Sequence, residues 1–415
     1  MGEQWNRVCR SASERRAADL FFADLVGAGG AGRQRKARAG EASYDEESRG
    51  SDVLWRHAQQ QVGGLVTRCG FFGPNSVQRT EQQVRDAVVA AARAERTRWH
   101  TAAGVPIGES SVSMFGDLVR YYLAASADIR PATLTAMQAN AIAATTSYGS
   151  LPTLATPPAT ITTEVQRVRG VLMTGVPGAT TPANLATLVD TALRRAREAH
   201  LDAGTFAAWS AVWVSSCVRG AAITLGLEAT VGTNHVGRDE LLRASTAHWE
   251  YALEAYRRTV GPNARQGTYH AFAPTTHPPV AGDIIVLDRQ ASAPAGIFRF
   301  ANMARLQRMR THADIVVEVH PNHVVTIGGN LEHPGGTIGG SVRFRRYPLD
   351  ANGRLVVVAA QAFAQEDDAG TLPALPIAAV GTLDPRSTAR IFTLLRPVQM
   401  CAAIPGQPYA GGVLT

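Results

Sequence analysis

Four cysteines in 415 residues, Cys9, Cys69, Cys217 and Cys401, lie far apart and form no Cys-x-x-Cys pair. That excludes a thiolate zinc site of the usual spacing. A disulfide such as Cys69–Cys401 stays open. Charge is sparse: Asp, Glu, Lys and Arg make up 18% of the chain, against about 25% in an average globular domain. Lysine is almost missing, and arginine supplies nearly all of the positive charge. No run approaches the ~20 apolar residues that cross a bilayer. The first residues, Met1 to Arg7, carry no apolar signal core. The expectation is synthesis and folding in the cytoplasm without a signal peptide, so that any export uses another device. Internal repeats and low-complexity tracts are also missing.

What is present is apolar substance. The chain is 45% hydrophobic, enough for a large core and for two or three domains, or one domain with insertions. The net charge of +7 and a pI near 9.6 suit a polyanion such as nucleic acid or an acidic cell-wall polymer. A GC-rich genome that writes Arg for Lys produces the same excess. The basic residues are scattered except at Arg33–Arg38, and few aromatics interleave them, which argues against nucleic acid.

Four regions follow from the patterning. Residues 1–51 read as a short helix (Ala12 to Val26) and a Gly-rich, charged, flexible linker at 27–51. Residues 52–181 read as nearly all helical, with a break at Gly104 to Gly108 and a loop or linker at 145–160. Val84, Val88, Ala91, Ala92, Glu95 and Trp99 form one stripe, further helices are expected at Ser113–Ala127, Pro131–Ala144 and 161–173, and 104–180 reads as an insertion. Residues 182–362 form the expected core domain, with helices at 182–200, Phe206–Leu225 and Asp239–Thr259. Strands follow at Asp283–Asp288, Ala313–His320, His323–Ile327, Ser341–Pro348 and Leu355–Ala360. Pro321-Asn322 and Leu349 to Arg354 mark hairpin turns. Residues 363–415 are a Pro- and Gly-rich extension with one short helix or strand near Ala389 to Leu395. Helices first and an antiparallel sheet afterwards define an α+β class.

The chemistry concentrates in two short stretches. Ser210, in Trp209-Ser210-Ala211-Val212-Trp213-Val214-Ser215, opens a nearly uncharged helix, whose positive end and unpaired N–H groups stabilise an anion. His312 opens an apolar strand, and Asn330 closes the next one after Gly328-Gly329. Nucleophile, base and orienting amide in that chain order form a hydrolase layout. Asp314, two residues along the strand and on the same face as His312, is an alternative orienter. Trp209, His248 and Asp283 are the candidate substrate-binding residues, each with a structural alternative: core packing for Trp209, a hydrogen-bonded helix histidine for His248, a strand-capping turn for Asp283. Cys217, seven residues beyond Ser210, reads as a buried small hydrophobe. His312, His320 and His323 share one hairpin at spacings too long for a single ion. Neither metal nor cofactor is expected.

These motifs resemble the CHAP and NlpC-type peptidoglycan amidases and endopeptidases: Trp209–Ser215, then Pro279-Val280-Ala281-Gly282-Asp283-Ile284-Ile285, then His312-Ala313-Asp314-Ile315-Val316. More closely, the chain resembles a bacterial domain of unknown function, number 2272, related to that superfamily. That likeness adds Ala247-His248-Trp249-Glu250-Tyr251, Ile327-Gly328-Gly329-Asn330, and a helix with Ala92, Glu95 and Trp99. It spans about residues 80–100 and 182–362. It implies a papain-like core with an antiparallel sheet after a large helical N-terminal region, and it puts Ser210 at the nucleophile, His312 at the base and Asn330 at the orienter. Its departure is Ser where active amidases carry Cys, so Ser210 stands open as a variant nucleophile, a binding-site remnant or a helix N-cap. The implied substrate is cell-wall peptidoglycan or another glycopeptide. Without a signal peptide, a secretion-system or phage carrier protein and an inhibitor protein are the implied partners.

Overall fold

Aliphatic and β-branched runs after residue 267 pair into one seven-stranded antiparallel sheet. The computed structural model describes residues 68–74, 77–146, 158–176, 182–201, 209–231, 234–237, 240–260, 267–288, 300–305, 311–332, 338–356, 363–375 and 390–402. The expected helix at 12–26 and linker at 27–51 lie outside them. In chain order the strands are β1 (Arg68–Phe72), β2 (Gln78–Arg79), β3 (Ala229–Val231), β4 (Asn234–Val236), β5 (Thr268–Phe272), β6 (Ile284–Asp288), β7 (Thr311–Val319), β8 (His323–Leu331), β9 (Ser341–Pro348), β10 (Ala364–Gln365), β11 (Arg390–Val398) and β12 (Met400–Ala402). The large sheet runs β10-β9-β8-β7-β6-β11-β5. Among the described residues two small sheets, β12-β1-β2 and β3-β4, also form.

The helices are α1 (Glu81–Arg98), α2 (Phe115–Ala124), α3 (Pro131–Thr146), α4 (Pro158–Leu172), α5 (Leu185–Leu201), α6 (Ser210–Thr224) and α7 (His248–Thr259). The α+β class of antiparallel sheet with helices thus holds. Thr80 starts α1 with a capping box: its hydroxyl accepts from Gln83 N at 3.2 Å, and the Gln83 side chain accepts from Thr80 N at 2.9 Å. Both α1 and α6 pack on β7 and β8, while α7 packs on β5.

Strand alternation sorts the sheet into two faces. Ile284, Val286, Ala313, Ile315 and Ile327 join the main core with α1, α2 and α6. Ile285, Leu287, Val316, Val324, Tyr347 and Leu394 form a second, smaller core. With both faces covered, β7 is buried from His312 to Val317.

Some parts depart from the sequence expectation. Residues 68–72 form a strand inside a region expected to be helical; Gly70 fits there because a Cβ would stand 2.8 Å from Arg79 O. The amphipathic stretch from Asp239 is helical only from His248, since Leu241 offers its carbonyl to Tyr269 N, at 2.9 Å, instead of to a helix turn. Helix α2, within the stretch expected as an insertion, is buried at every residue and packs on α5 and α6. Its Asp117 and Arg120 are paired with each other, which is how a wholly buried helix keeps two charges. The turns stand as expected: Asp350 accepts from Asn352 N and Arg354 N at 2.8 Å each, with Gly353 at φ 72°. Of the strand expected at Leu355–Ala360, Leu355 makes a single bridge to Leu349, and the residues from 357 lie outside the described ones. No described helix is long and apolar enough to cross a membrane.

Candidate functional site

The aromatic residue before Ser210 fixes where α6 begins. Trp209 is fully buried and stacks on Trp99, the C-cap of α1, ring centroids 4.6 Å apart, and on Tyr121 of α2 at 6.0 Å. Trp99 Nε1 donates to the Tyr121 hydroxyl at 2.8 Å. That hydroxyl donates to Glu95 Oε2 at 2.7 Å, which also accepts from Arg120. The Glu95/Trp99 spacing on α1 thus serves to clamp Trp209, and through it the first turn of α6. Trp209 is part of the core and offers no floor to a groove.

Trp209 Nε1 donates to Glu109, a residue that sequence reasoning passed over. Glu109 is 2% exposed. Its Oε1 accepts from Gly340 N at 3.1 Å, and its own N–H donates to Gly340 O at 2.8 Å. Burial pushes its carboxyl up, and the hydrogen bonds from Trp209 and Gly340 only partly offset this. A lone acid in a loop carries no periodicity or motif, so no sequence signal marked it.

Ser210 is the first residue of α6; the N-cap is Trp209, which makes no side-chain cap. Ser210 Oγ instead lies 2.6 Å from His248 Nε2. His248 is the first residue of α7, and its Nδ1 hydrogen-bonds the Tyr251 hydroxyl one turn on. A second contact sets this pairing. Ser215 Oγ of α6 accepts from Ser245 N at 3.0 Å and donates to Ser245 O at 2.9 Å. The start of α7 is thereby held in register against the first turns of α6. Ser210, His248 and Tyr251 are buried, at 1%, 4% and 0% exposure.

His312 stands beside this pair without taking the serine. Its register partner on β6 is Leu287, and that of Asp314 is Ile285. Both therefore point to the smaller-core face, while α6 packs against the face of Ala313 and Ile315. At the strand end the His312 ring meets the His248 ring edge to face, centroids 5.5 Å apart. His312 Nε2 hydrogen-bonds Asp314 Oδ1 at 2.8 Å. Asp314, the alternative orienter, thus holds His312.

Asp314 is the electrostatic centre of that face. Its Oδ2 accepts from the Tyr347 hydroxyl, from Arg345 at 3.4 Å and from Thr326 Oγ1 at 3.5 Å. Burial opposes its ionisation, but Arg345, His312 and Tyr347 outweigh burial and hold the carboxyl well below the usual range. Its negative potential, added to burial, raises the Tyr251 hydroxyl. Gly328, opposite Asp314, is required: a Cβ there would come within 2.0 Å of Asp314 Oδ1. Its neighbour Gly329 faces the helix side, where a Cβ would come within 2.7 Å of Trp213. The two glycines make room on opposite faces.

Asn330 has φ 57° at an irregularity of β8, with its Oδ1 buried and unpartnered among the described residues. It lies against Gly340, where a Cβ would sit 2.2 Å from Oδ1. Asp283 is fully buried. It accepts from Val280 N at 2.9 Å and, through both oxygens, from Arg396 of β11. It ties the start of β6 to β11. His320 and His323 stack on each other at 4.4 Å at the β7–β8 hairpin, away from His312 along the strand. Among the described residues no group of three or more His, Cys, Asp or Glu could hold a metal ion.

Tyr347→Phe tests the Asp314 centre without a volume change. It removes one donor to a buried ionised carboxylate. The expected loss is about 1.5–3 kcal/mol, read as a shift of the urea midpoint at unchanged slope. A midpoint equal to wild type would rule out the Tyr347 contact as a support of the charge.

Residues 166–372 match the model of a family described as uncharacterized protein conserved in bacteria, DUF2272. The match starts within α4 and ends before β11, so it takes in Ser210, His248, His312, Asp314 and Asn330, and leaves out Glu95, Trp99 and Glu109. No curated protein and no solved structure matches the chain.

Proposed function

We propose that this chain is an amidase- or peptidase-like hydrolase of a papain-like frame, acting on cell-wall peptidoglycan or another glycopeptide, with Ser210 as nucleophile and His248 as base. The observation that carries the reading is the 2.6 Å contact from Ser210 Oγ to His248 Nε2 at the positive end of a buried helix. In the tautomer with a proton on Nδ1, His248 donates to the Tyr251 oxygen and Nε2 accepts the Ser210 proton. Ser210 Oγ then attacks the amide carbonyl. First-turn N–H groups of α6 receive the oxyanion, and His248 returns the proton to the leaving amine. Tyr251 keeps the imidazole in orientation. The His312–Asp314 pair, itself tied to Arg345, packs against the far side of the His248 ring and limits how it can turn. A carrier protein that brings the enzyme to the wall fits this substrate.

A second reading has its own support: the burial of Ser210 and His248 suits a binding or structural protein that keeps the frame without turnover. One experiment separates the two. Purified protein is incubated with peptidoglycan, and released fragments are identified by mass spectrometry. The hydrolase reading expects fragments from wild type and about 10²–10⁴-fold slower release from His248→Ala, the usual contribution of a general base. Equal release from the variant would sink the assignment of the base. No release from wild type would leave the second reading in place.

A further inference from the structure

The small sheet β12-β1-β2 holds a feature that the site does not use. In the antiparallel pair of β1 and β12, Arg68 faces Ala402, Cys69 faces Cys401, and Gly70 faces Met400. Two of the four cysteines of the chain, more than three hundred positions apart in sequence, thus occupy directly opposed register positions. Opposed residues of antiparallel strands have Cα atoms about 4.5–5.5 Å apart, inside the roughly 4.4–6.8 Å window that a disulfide spans. The alternative partner Cys217 sits buried in α6, and burial pushes its thiol well up, which disfavours the thiolate needed for exchange.

We propose that Cys69 and Cys401 form a cross-strand disulfide when the protein meets a disulfide oxidant. One thiolate attacks a sulfur of the oxidant, for example glutathione disulfide, and releases one glutathione thiol. The second cysteine then attacks the mixed disulfide and releases the other. Two protein thiols are oxidised, and one oxidant disulfide is reduced to two thiols. The link closes a loop that contains the whole family-matched segment, 166–372. It also joins the two flanks of the body. β1 leads through β2 into α1, which clamps Trp209, and β12 directly follows β11, an interior strand of the large sheet. Cross-linking such distant residues restricts the unfolded chain far more than the folded one.

Full-length protein is reduced, then divided. One half is oxidised with glutathione disulfide, and both halves are alkylated in denaturant and mapped by mass spectrometry. The reduced half should carry four alkyl groups and the oxidised half two, on Cys9 and Cys217. A peptide pair joining Cys69 to Cys401 should appear only in the oxidised half. Its melting midpoint should rise by several degrees, and Cys401→Ser should abolish both the pair and the rise. Alkylation of Cys69 and Cys401 after oxidation, glutathione left on either, or a link from either to Cys9 or to a second chain would overturn the proposal. The readout needs no enzymatic activity, so it stands apart from the hydrolase reading.

Discussion

Asp314→Ala should lower folding stability by about 3–5 kcal/mol, the cost of breaking a buried ion pair by removing one partner. The reason lies in what remains. Arg345 is 7% exposed and keeps its charge, His312 loses the acceptor for Nε2, and the Tyr347 hydroxyl loses its acceptor as well. Asp314→Asn keeps the volume and one acceptor oxygen, and should fall between wild type and alanine. Urea unfolding at neutral pH checks the order. Equal stability of Asp314→Ala and wild type would show that the buried arginine does not depend on this carboxylate.

The same group predicts an acid dependence. The folded-state pKa of Asp314 is depressed, with Arg345 and His312 outweighing burial. A depressed carboxyl contributes stability that is fully present above the unfolded value, about 3.9, and is lost as pH falls below it toward the folded value. Wild type should therefore lose stability steeply below about pH 4, and Asp314→Asn should show a shallower fall over the same window.

If the hydrolase reading holds, Ser210→Ala should remove hydrolysis outright, because it takes away the hydroxyl that stands 2.6 Å from His248 Nε2. Ser210→Cys is the more discriminating variant. A thiol at the first position of α6, within reach of His248, gains from the helix end and from an imidazolium partner, and its pKa should drop. It should react with a small alkylating agent at neutral pH much faster than Cys217. Cys217 lies about 10 Å further along the same helix, and burial raises its thiol. That cysteine is a control built into the chain. Release of fragments should persist or rise in Ser210→Cys. A thiol at 210 as slow as Cys217 would argue for a hydrogen-bonded core serine and against a nucleophile.

Much of this was legible in the sequence, and the misses have physical causes. Ser210, His312 and Asp314 stood out because short motifs mark a helix start and a strand start. The pairing of Ser210 with His248 instead of His312 did not, since it depends on which face of β7 the His312 side chain takes. A strand's alternation sends His312 with Leu287, and only the β6–β7 register reveals that Leu287 faces away from α6. The spacing of His248 and Tyr251, three apart at a helix start, was the available clue to a built imidazole. The role of Glu95 and Trp99 was visible as a helical stripe but not as a clamp, because Tyr121 and Trp209 come from other elements. Strand β5 went unrecognised and β11 was read as helix or strand. Both are short or Pro-containing, and their place in the sheet is set by long-range pairing. The motif glycines 328 and 329 were visible, but their use as clearance for Asp314 and Trp213 depends on contacts between elements.

The position of β11 bears on where this molecule can be divided. The family-matched segment ends at residue 372, yet Arg390–Val398 lies between β6 and β5, pairs with both, and supplies Arg396 to the buried Asp283. Cut at 372, the chain would keep every residue of the Ser210 site and still lose a plank from the middle of its floor. Two strands would stand with bare edges open to other chains, and the buried Asp283 would lose the arginine that binds both its oxygens. The smallest autonomous piece of this protein is therefore larger than its recognisable family segment.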